Sequence, residues 1–282
     1  MLDGVTKQFL QIKHPCRIGT PVTDLEWQVA PSSVRAAPVD NLGTDVSAAN
    51  VDVIRWGRER VRTGPWRGDH DIAYLSPLPD APLPSAVFVR RCLDQLADRG
   101  FREVITSALS PAEQVGFLGA GFEVHERLHL LEHDLHHVPR ADTSALRRAG
   151  PADHPEVLAV DGRAFPSFWR IDESSLAEAL GATPNSRFRV ASRDGWVAGY
   201  AVTGRAGRRG FLQRLAVDPE QQRHGLGRAL CVDALRWLRR WRVEQAVVNT
   251  QMGNEAALAL YESLGFRREA DGLSVLSAAL DR

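Results

Sequence analysis

The sequence has little cysteine: Cys16, Cys92 and Cys231 lie scattered along 282 residues. An odd, unspaced set argues against a disulfide scaffold and fits a reducing compartment, so a cytoplasmic protein is expected. There is no net charge, since Lys+Arg and Asp+Glu both number 35. Nothing global therefore draws the chain to nucleic acid or to an anionic membrane. No run of 18 apolar residues exists, so no spanning helix is expected, and the first residues (MLDGVTKQFLQIKHPC) contain no apolar core of a secretory leader. Neither nucleic acid nor membrane is expected as a partner. No Cys or carboxylate joins His125, His129, His133, His136 and His137 in a spaced ligand set, so no metal is expected. In an extended chain His125, Arg127, His129 and His133 share one face and Val124, Leu128 and Leu130 the other, which reads as a solvated strand face followed by a polar linker.

What the sequence does have is 44% hydrophobic residues, enough for a real core over one large or two ordinary domains. Residues 1–45 are broken by Pro15, Pro21, Pro31 and Pro38 and read as an irregular extension. Strands are expected at Val51–Trp56, Asp71–Leu75 and Arg102–Thr106, and helices at Ser85–Arg99 and from Ser110 to near Gly121. Four prolines make SPLPDAPLP (76–84) an irregular connection. A strand then runs through Leu135, and HHVPRADT (136–143) reads as a linker between a first unit, 46–137, and a second, 144–282. In the second unit helices are expected over Asp153–Arg163 and Asp172–Leu180, the latter capped by Asp172 or Ser174. A hairpin turns on Asp194-Gly195, and GRAGRRG (204–210) is the next turn. Strands at Phe211–Val217, Gln245–Asn249 and Leu273–Ala278 alternate with helices at Gly225–Arg240 and Glu255–Ser263. The whole is an α/β chain with a mixed sheet.

One stretch, LQRLAVDPEQQRHGLGRAL (212–230), organises the second unit. A strand ends at Asp218-Pro219, and Gln222-Arg223-His224-Gly225-Leu226-Gly227-Arg228 opens a helix. Glycines let a ligand approach the backbone closely, and free N–H groups at a helix start attract anions. Arg223, His224 and Arg228 add positive side chains. The third glycine of a dinucleotide fingerprint is missing, and so is the Gly-Lys-Ser/Thr of a P-loop. The stretch resembles motif A of the GNAT superfamily of acetyl-CoA-dependent N-acyltransferases, Gln/Arg-x-x-Gly-x-Gly/Ala. A second run, Asn254 to Phe266, resembles that superfamily's Asn-x-x-Ala-x-x-Leu-Tyr-x-x-x-Gly-Phe signature through Asn254, Ala257, Leu260, Tyr261, Gly265 and Phe266.

The resemblance implies a GNAT fold, acetyl-CoA as cosubstrate and an amine acceptor. It places the pyrophosphate on Gln222–Arg228 and the pantetheine amides on the backbone of Leu215, Ala216 and Val217. Asn254 ties the turn to the pantetheine arm or caps the helix. Tyr261 is the implied acid: a phenol with pKa about 10 can protonate a leaving thiolate whose thiol has pKa about 8.5. Places where related enzymes often carry a carboxylate hold Gln213 and Asn249, which cannot take a proton. That absence favours a low-pKa amine such as an α-amine, since only about one lysine in two thousand is free at pH 7. Asp172, Glu173 or a residue of the first unit are alternative bases. Phe165, Phe168 and Trp169 should shape the acceptor pocket; AFPSFW resembles the Ala-Phe-Pro-Trp loop of ribosomal-protein alanine acetyltransferases. A monomer or homodimer is expected.

The two units also align at an offset of 144 residues: Thr106 on Thr250, Ala112 on Ala256, Gly121-Phe122 on Gly265-Phe266. The first unit reads as a worn copy of the second, with SPLPDAPLP in place of the glycine loop and Phe117 in place of Tyr261. Two tandem copies, the C-terminal one complete and binding one CoA, are therefore expected, an arrangement that also resembles mycothiol synthase. A non-catalytic acyl-CoA-binding regulator is the alternative to an acyltransferase.

Overall fold

The local signals set the elements, and long-range pairing sets their order. A computed structural model describes residues 52–78 and 80–280; the extension over 1–45 lies outside the described residues. The first half runs β1 (Asp52–Trp56), β2 (Glu59–Trp66), β3 (Asp69–Pro77), α1 (Ala86–Asp98), β4 (Glu103–Thr106), α2 (Pro111–Leu118) and β5 (Glu123–His133). The second runs β6 (Leu146–Arg148), α3 (His154–Ala164), α4 (Glu173–Gly181), β7 (Asn185–Arg193), β8 (Trp196–Ala206), β9 (Arg209–Val217), α5 (Leu226–Arg240), β10 (Gln245–Gln251), α6 (Glu255–Ser263), β11 (Arg267–Arg268) and β12 (Leu273–Ala279). No described helix is long and apolar enough to cross a membrane.

Several helix starts follow from their caps. Ser110 and Glu113 form a capping box at α2, with Pro111 at the first helical position. Asp172 caps α4 by accepting from the Ser175 N–H at 2.8 Å. Of the two caps open in the sequence, the carboxylate is the one used. In α5 the buried residues Leu230, Cys231, Ala234, Leu235 and Leu238 recur every three to four positions. Each leucine so buried contributes about 2 kcal/mol.

β2 was not anticipated, because Gly64 and Pro65 interrupt its pattern. Pro65 sits where the β2–β3 register shifts, a place where its missing N–H costs no ladder bond. The turn expected over Gly204–Gly210 is shorter: β8 continues to Ala206 and β9 begins at Arg209. Gly204 and Gly210 serve packing there. A Cβ on Gly210 would lie 2.5 Å from Leu238 Cδ2, and one on Gly204 only 2.8 Å from Thr183 Cγ2.

All twelve described strands join one mixed sheet, in the order β1-β2-β3-β4-β12-β5-β10-β9-β8-β7-β6, with β11 paired to β5. Among the described residues only β3–β4 and β9–β10 run parallel. The halves interlock at the centre. β5, from the first half, pairs with β10 of the second (Ala246↔His133 through Gln251↔Leu128). β12, from the second half, pairs with β4 of the first (Ser277↔Ile105 through Ala279↔Glu103). In the second half α3 and α4 cover one face of the sheet around Val160, Leu176 and Tyr200, and α5 and α6 cover the other. In the first half α1 and α2 cover one face. Its second face, with Trp66, Tyr74 and Ile105, packs on Phe168 and Trp169 of the second half.

The histidine-bearing strand differs from expectation at its end. His133 is 3% exposed, not solvated. Its Nδ1 accepts from the Leu135 N–H at 2.8 Å, and its Nε2 lies 3.1 Å from the Leu264 carbonyl, which fixes a neutral ring protonated at Nε2. Burial pushes its pKa down. No group of three or more ligating side chains that could hold a metal ion occurs among the described residues.

Candidate active site

A cleft of about 600 Å³ opens where two parallel strands part. β9 and β10 pair only over Arg209–Phe211 with Gln245–Val247. Beyond that point β9 keeps β8 on one side, and its other edge, Leu212 to Val217, faces the cleft. The β8–β9 register slips between Val202 and Thr203, which pair with Arg214 and Leu212, so Gln213 is the bulged residue. β10 cannot close the gap, because its far edge is held by β5.

The loop leaving β9 is tied down before it reaches the helix. Asp218 accepts from the Arg163 Nε at 2.8 Å and from the Glu220 N–H at 3.0 Å. Gln222 Nε2 donates to the Val217 carbonyl at 3.2 Å. Arg223 (φ 67°) and Gly225 (φ 81°) take left-handed backbone, which costs a non-glycine residue about 1 kcal/mol. As N-cap of α5, Gly225 supplies no side-chain acceptor. Leu226, Gly227 and Arg228 line the cleft, so the first-turn N–H groups and the positive helix end open onto it. A Cβ on Gly227 would stand 3.3 Å from Leu260 Cδ2 and 3.6 Å from Val217 Cγ2. The α1 terminus in the first half, by contrast, is capped. Ser85 Oγ accepts from the Phe88 N–H at 3.2 Å, and the Glu59 carboxylate accepts from the Ser85 N–H and hydroxyl.

At the inner end of the cleft stands Tyr261, 5% exposed, its ring 5.6 Å from Phe266. Burial, with the neighbouring Cys231 thiol second, pushes its pKa up, so the phenol keeps its proton across the physiological range. Asn254 Oδ1 accepts from the Ala257 N–H at 3.1 Å, so it caps α6 while also lining the cleft. Gln213 and Asn249 line it as well. No Asp, Glu or His is among the lining residues; Asp172 and Glu173 sit at the start of α4 instead.

The expected residues do not all converge. Leu215, Ala216, Val217, Gln222, Arg223, Gly225, Leu226, Gly227, Arg228, Asn254, Tyr261, Phe165 and Trp169 line the cleft. His224 and Phe168 do not. His224 lies exposed in the turn before α5. Phe168 packs behind the wall, between Trp66 (5.6 Å) and His125 (4.5 Å).

Beneath that wall lies a network the sequence did not reveal. Asp161, fully buried, accepts from Arg214 Nε (2.8 Å) and Nη2 (2.9 Å), from the Tyr200 hydroxyl (2.6 Å) and from the Ile171 N–H (3.0 Å). Arg214 also donates to the Trp169 carbonyl at 2.8 Å and lies 3.6 Å from the centre of the Phe165 ring. The first half supplies Trp66, Arg67, Thr106, Ser107 and Leu128 to the cleft. Trp66 and Arg67 come from the β2–β3 turn, where Arg67 (φ 51°) and Gly68 (φ 79°) make a tight left-handed reversal. An aromatic placed at a glycine turn was the available signal.

The architecture matches known folds. It resembles the solved tandem GNAT protein from the clavulanic acid biosynthesis pathway at TM-score 0.62 and 16% identity, covering 83% of this chain and 84% of that one. A GCN5-related N-acetyltransferase from Sphaerobacter thermophilus gives TM-score 0.57 at 12% identity, covering 81% and 83%. At these identities the likeness is one of fold, and the GNAT fold expected from the sequence is the one observed. Residues 155–266 match the model of the Acetyltransferase (GNAT) family. The chain is 36% identical over 141 residues to a mycothiol acetyltransferase of Acidothermus cellulolyticus, 46% of this chain and 42% of that protein. To that of Amycolatopsis mediterranei it is 32% identical over 200 residues, 63% and 65%. To the ribosomal protein bS18-alanine N-acetyltransferase of Escherichia coli (strain K12) it is 40% identical over 114 residues, 40% and 74%. The chain belongs to the GNAT acetyltransferase family. It spans between 42% and 65% of the mycothiol acetyltransferases it matches.

Proposed function

We propose that the protein moves an acetyl group from acetyl-CoA to a primary amine, on a small molecule or a peptide or protein N-terminus, by direct attack. The observation that carries this reading is continuity: the uncapped α5 terminus, the free edge of β9 and the Tyr261 hydroxyl line one cleft. The N–H groups opening α5, with Gln222, Arg223 and Arg228, hold the pyrophosphate. The Leu215–Val217 edge pairs with the pantetheine amides as an added strand does. A backbone N–H there polarises the thioester oxygen. The amine nitrogen attacks the carbonyl carbon, the C–S bond breaks as the tetrahedral centre collapses, and Tyr261 gives its proton to the departing sulfur. In the same dry surroundings a thiolate is itself a stronger base, so the raised phenol pKa does not block this transfer. With no carboxylate or histidine lining the cleft, the amine sheds its proton to water, which favours an acceptor of low pKa.

The first half, 46–137, is then a degenerate copy that shapes the acceptor side, and 144–282 carries catalysis with one CoA per chain. Glu59 on the α1 terminus supports this, since it puts a resident carboxylate where a phosphate would sit. We place the protein in the cytoplasm as a monomer or homodimer, acting without metal, nucleic acid or membrane.

The missing base favours a second reading, a non-catalytic acyl-CoA-binding regulator. Thiol release from acetyl-CoA across an amine panel separates the two. Turnover of any amine supports the enzyme; micromolar CoA binding with no turnover sinks it. Tyr261→Phe should lower kcat about a hundredfold with CoA affinity within twofold. An unchanged kcat removes Tyr261 from the acid role.

A further inference from the structure

Arg67 enters the cleft wall from the first half, and its surroundings do not neutralise it. Its Nη1 donates to the Phe168 carbonyl at 3.0 Å and to the Arg170 carbonyl at 2.9 Å. The guanidinium lies 4.6 Å from the centre of the Trp66 ring and 5.4 Å from that of Trp169. Among the described residues no carboxylate oxygen comes within 4.0 Å of it, and Nε and Nη2 make no hydrogen bond. The two acids nearest in charge are engaged elsewhere. Asp161 is filled by Arg214, Tyr200 and the Ile171 N–H, and Asp172 by capping α4. Burial, with Arg214 second, lowers the Arg67 pKa to about 9, and the fields of Asp161 and Asp172 offset only part of that shift.

The wall therefore has spare donors at Arg67 Nε and Nη2, beside the Trp66 ring. The cleft offers no carboxylate to a cationic acceptor. A guanidinium fork with two free donors suits one group best, a planar carboxylate. The rings of Trp66, Phe165 and Trp169 meanwhile ask for apolar bulk.

We propose that the acceptor is an amine that also carries a carboxylate on an apolar frame, and that Arg67 binds that carboxylate. This rests on the acetyl-transfer reading and gives its acceptor a class. The first half then selects the substrate while the second performs the transfer. Polyamines, with extra positive charge, are excluded by the same wall.

The test uses full-length protein and matched pairs: phenylalanine against phenylalaninamide, and Gly-Phe against Gly-Phe-amide. Each rate is compared per mole of free base. The two pairs distinguish a free amino acid from a short peptide. At least one acid should exceed its amide tenfold or more in kcat/KM, and spermidine should be poor. Arg67→Gln should cut the acid's kcat/KM at least tenfold more than it cuts the amide's, so that the preference for the acid is lost. Arg67→Lys, which keeps charge but not the fork, should fall between. Binding is read separately: with CoA present, N-acetyl-phenylalanine or N-acetyl-Gly-Phe should bind at least tenfold tighter than its amide, and only with Arg67 in place. Amides turned over as well as acids, with equal product affinities, would overturn the inference while leaving acetyl transfer standing. Failure of every amine to release thiol would count against acetyl transfer, and the product-binding arm then decides the carboxylate site alone.

Discussion

Asp161 holds the acceptor wall in place, and Asp161→Asn is the sharpest way to ask how firmly. The carboxylate is fully buried and takes four hydrogen bonds, two from a guanidinium whose side chain is 10% exposed. Asparagine keeps the shape but not the charge, and its amide nitrogen must face a donor. Removing one partner of a buried pair costs about 3 to 5 kcal/mol, because the remaining charge is left uncompensated. In a chain of this size that is a fall of about 5–8 °C in Tm. The damage should reach the cleft, since Arg214 supports both the Trp169 carbonyl and the Phe165 ring. KM for the amine should rise more than KM for acetyl-CoA, whose proposed binding residues lie on α5 and β9. Urea denaturation with a two-state fit gives the stability, and a double-mutant cycle with Arg214→Met gives the coupling. The double variant should recover at least about 2 kcal/mol of the loss, because both charges are then gone. A single-variant loss below about 1 kcal/mol, or additive effects in the cycle, would refute the claim that this pair props the wall.

Gly227→Val should weaken CoA binding at least tenfold by calorimetry, because a Cβ there already meets Leu260 and Val217 and its methyls must turn into the cleft; an unchanged Kd would place the phosphates elsewhere. His133 is held neutral with a pKa below its ordinary value of about 6.5. Its contribution is therefore fully present above pH 6.5 and is lost as pH falls toward the lowered folded value, where the unfolded chain binds the extra proton. Urea midpoints should drop from pH 7.5 to 5.5, and His133→Gln should flatten that slope; equal slopes would exclude the histidine as its source.

What the sequence made legible was local. Gln222–Gly227 and Asn254–Phe266 could be read because a loop and a helix place their residues by spacing alone. The capping of α2 and the stripe of α5 were legible for the same reason. Trp66 and Arg67 were hidden because Gly64 and Pro65 blur β2, and because only tertiary packing brings that turn to a cleft more than a hundred residues downstream. Asp161 read as one more acid on a helix, and its partner Arg214 as one more strand arginine. Alternation along β5 placed Leu128 and Leu130 on a buried face, but it misplaced Val124, which is exposed beside a register shift, and could not say that Leu131 and His133 on the other face would be covered. Strand order was the least legible. A period of two says which side chains share a face and nothing about which strand lies alongside.

That strand order has a consequence for how the protein is made. The sheet of the first half is completed by β12, which follows α6 in the chain, while β5 waits to receive β10. On the ribosome the first half emerges with β4 lacking one neighbour and β5 lacking both of its own. These edges gain their native partners only after some 140 further residues have been synthesised. Until then the open edges must be shielded, and a chain stopped short of Leu273 leaves both halves incomplete. The molecule is built as a clasp, in which neither half matures before the other.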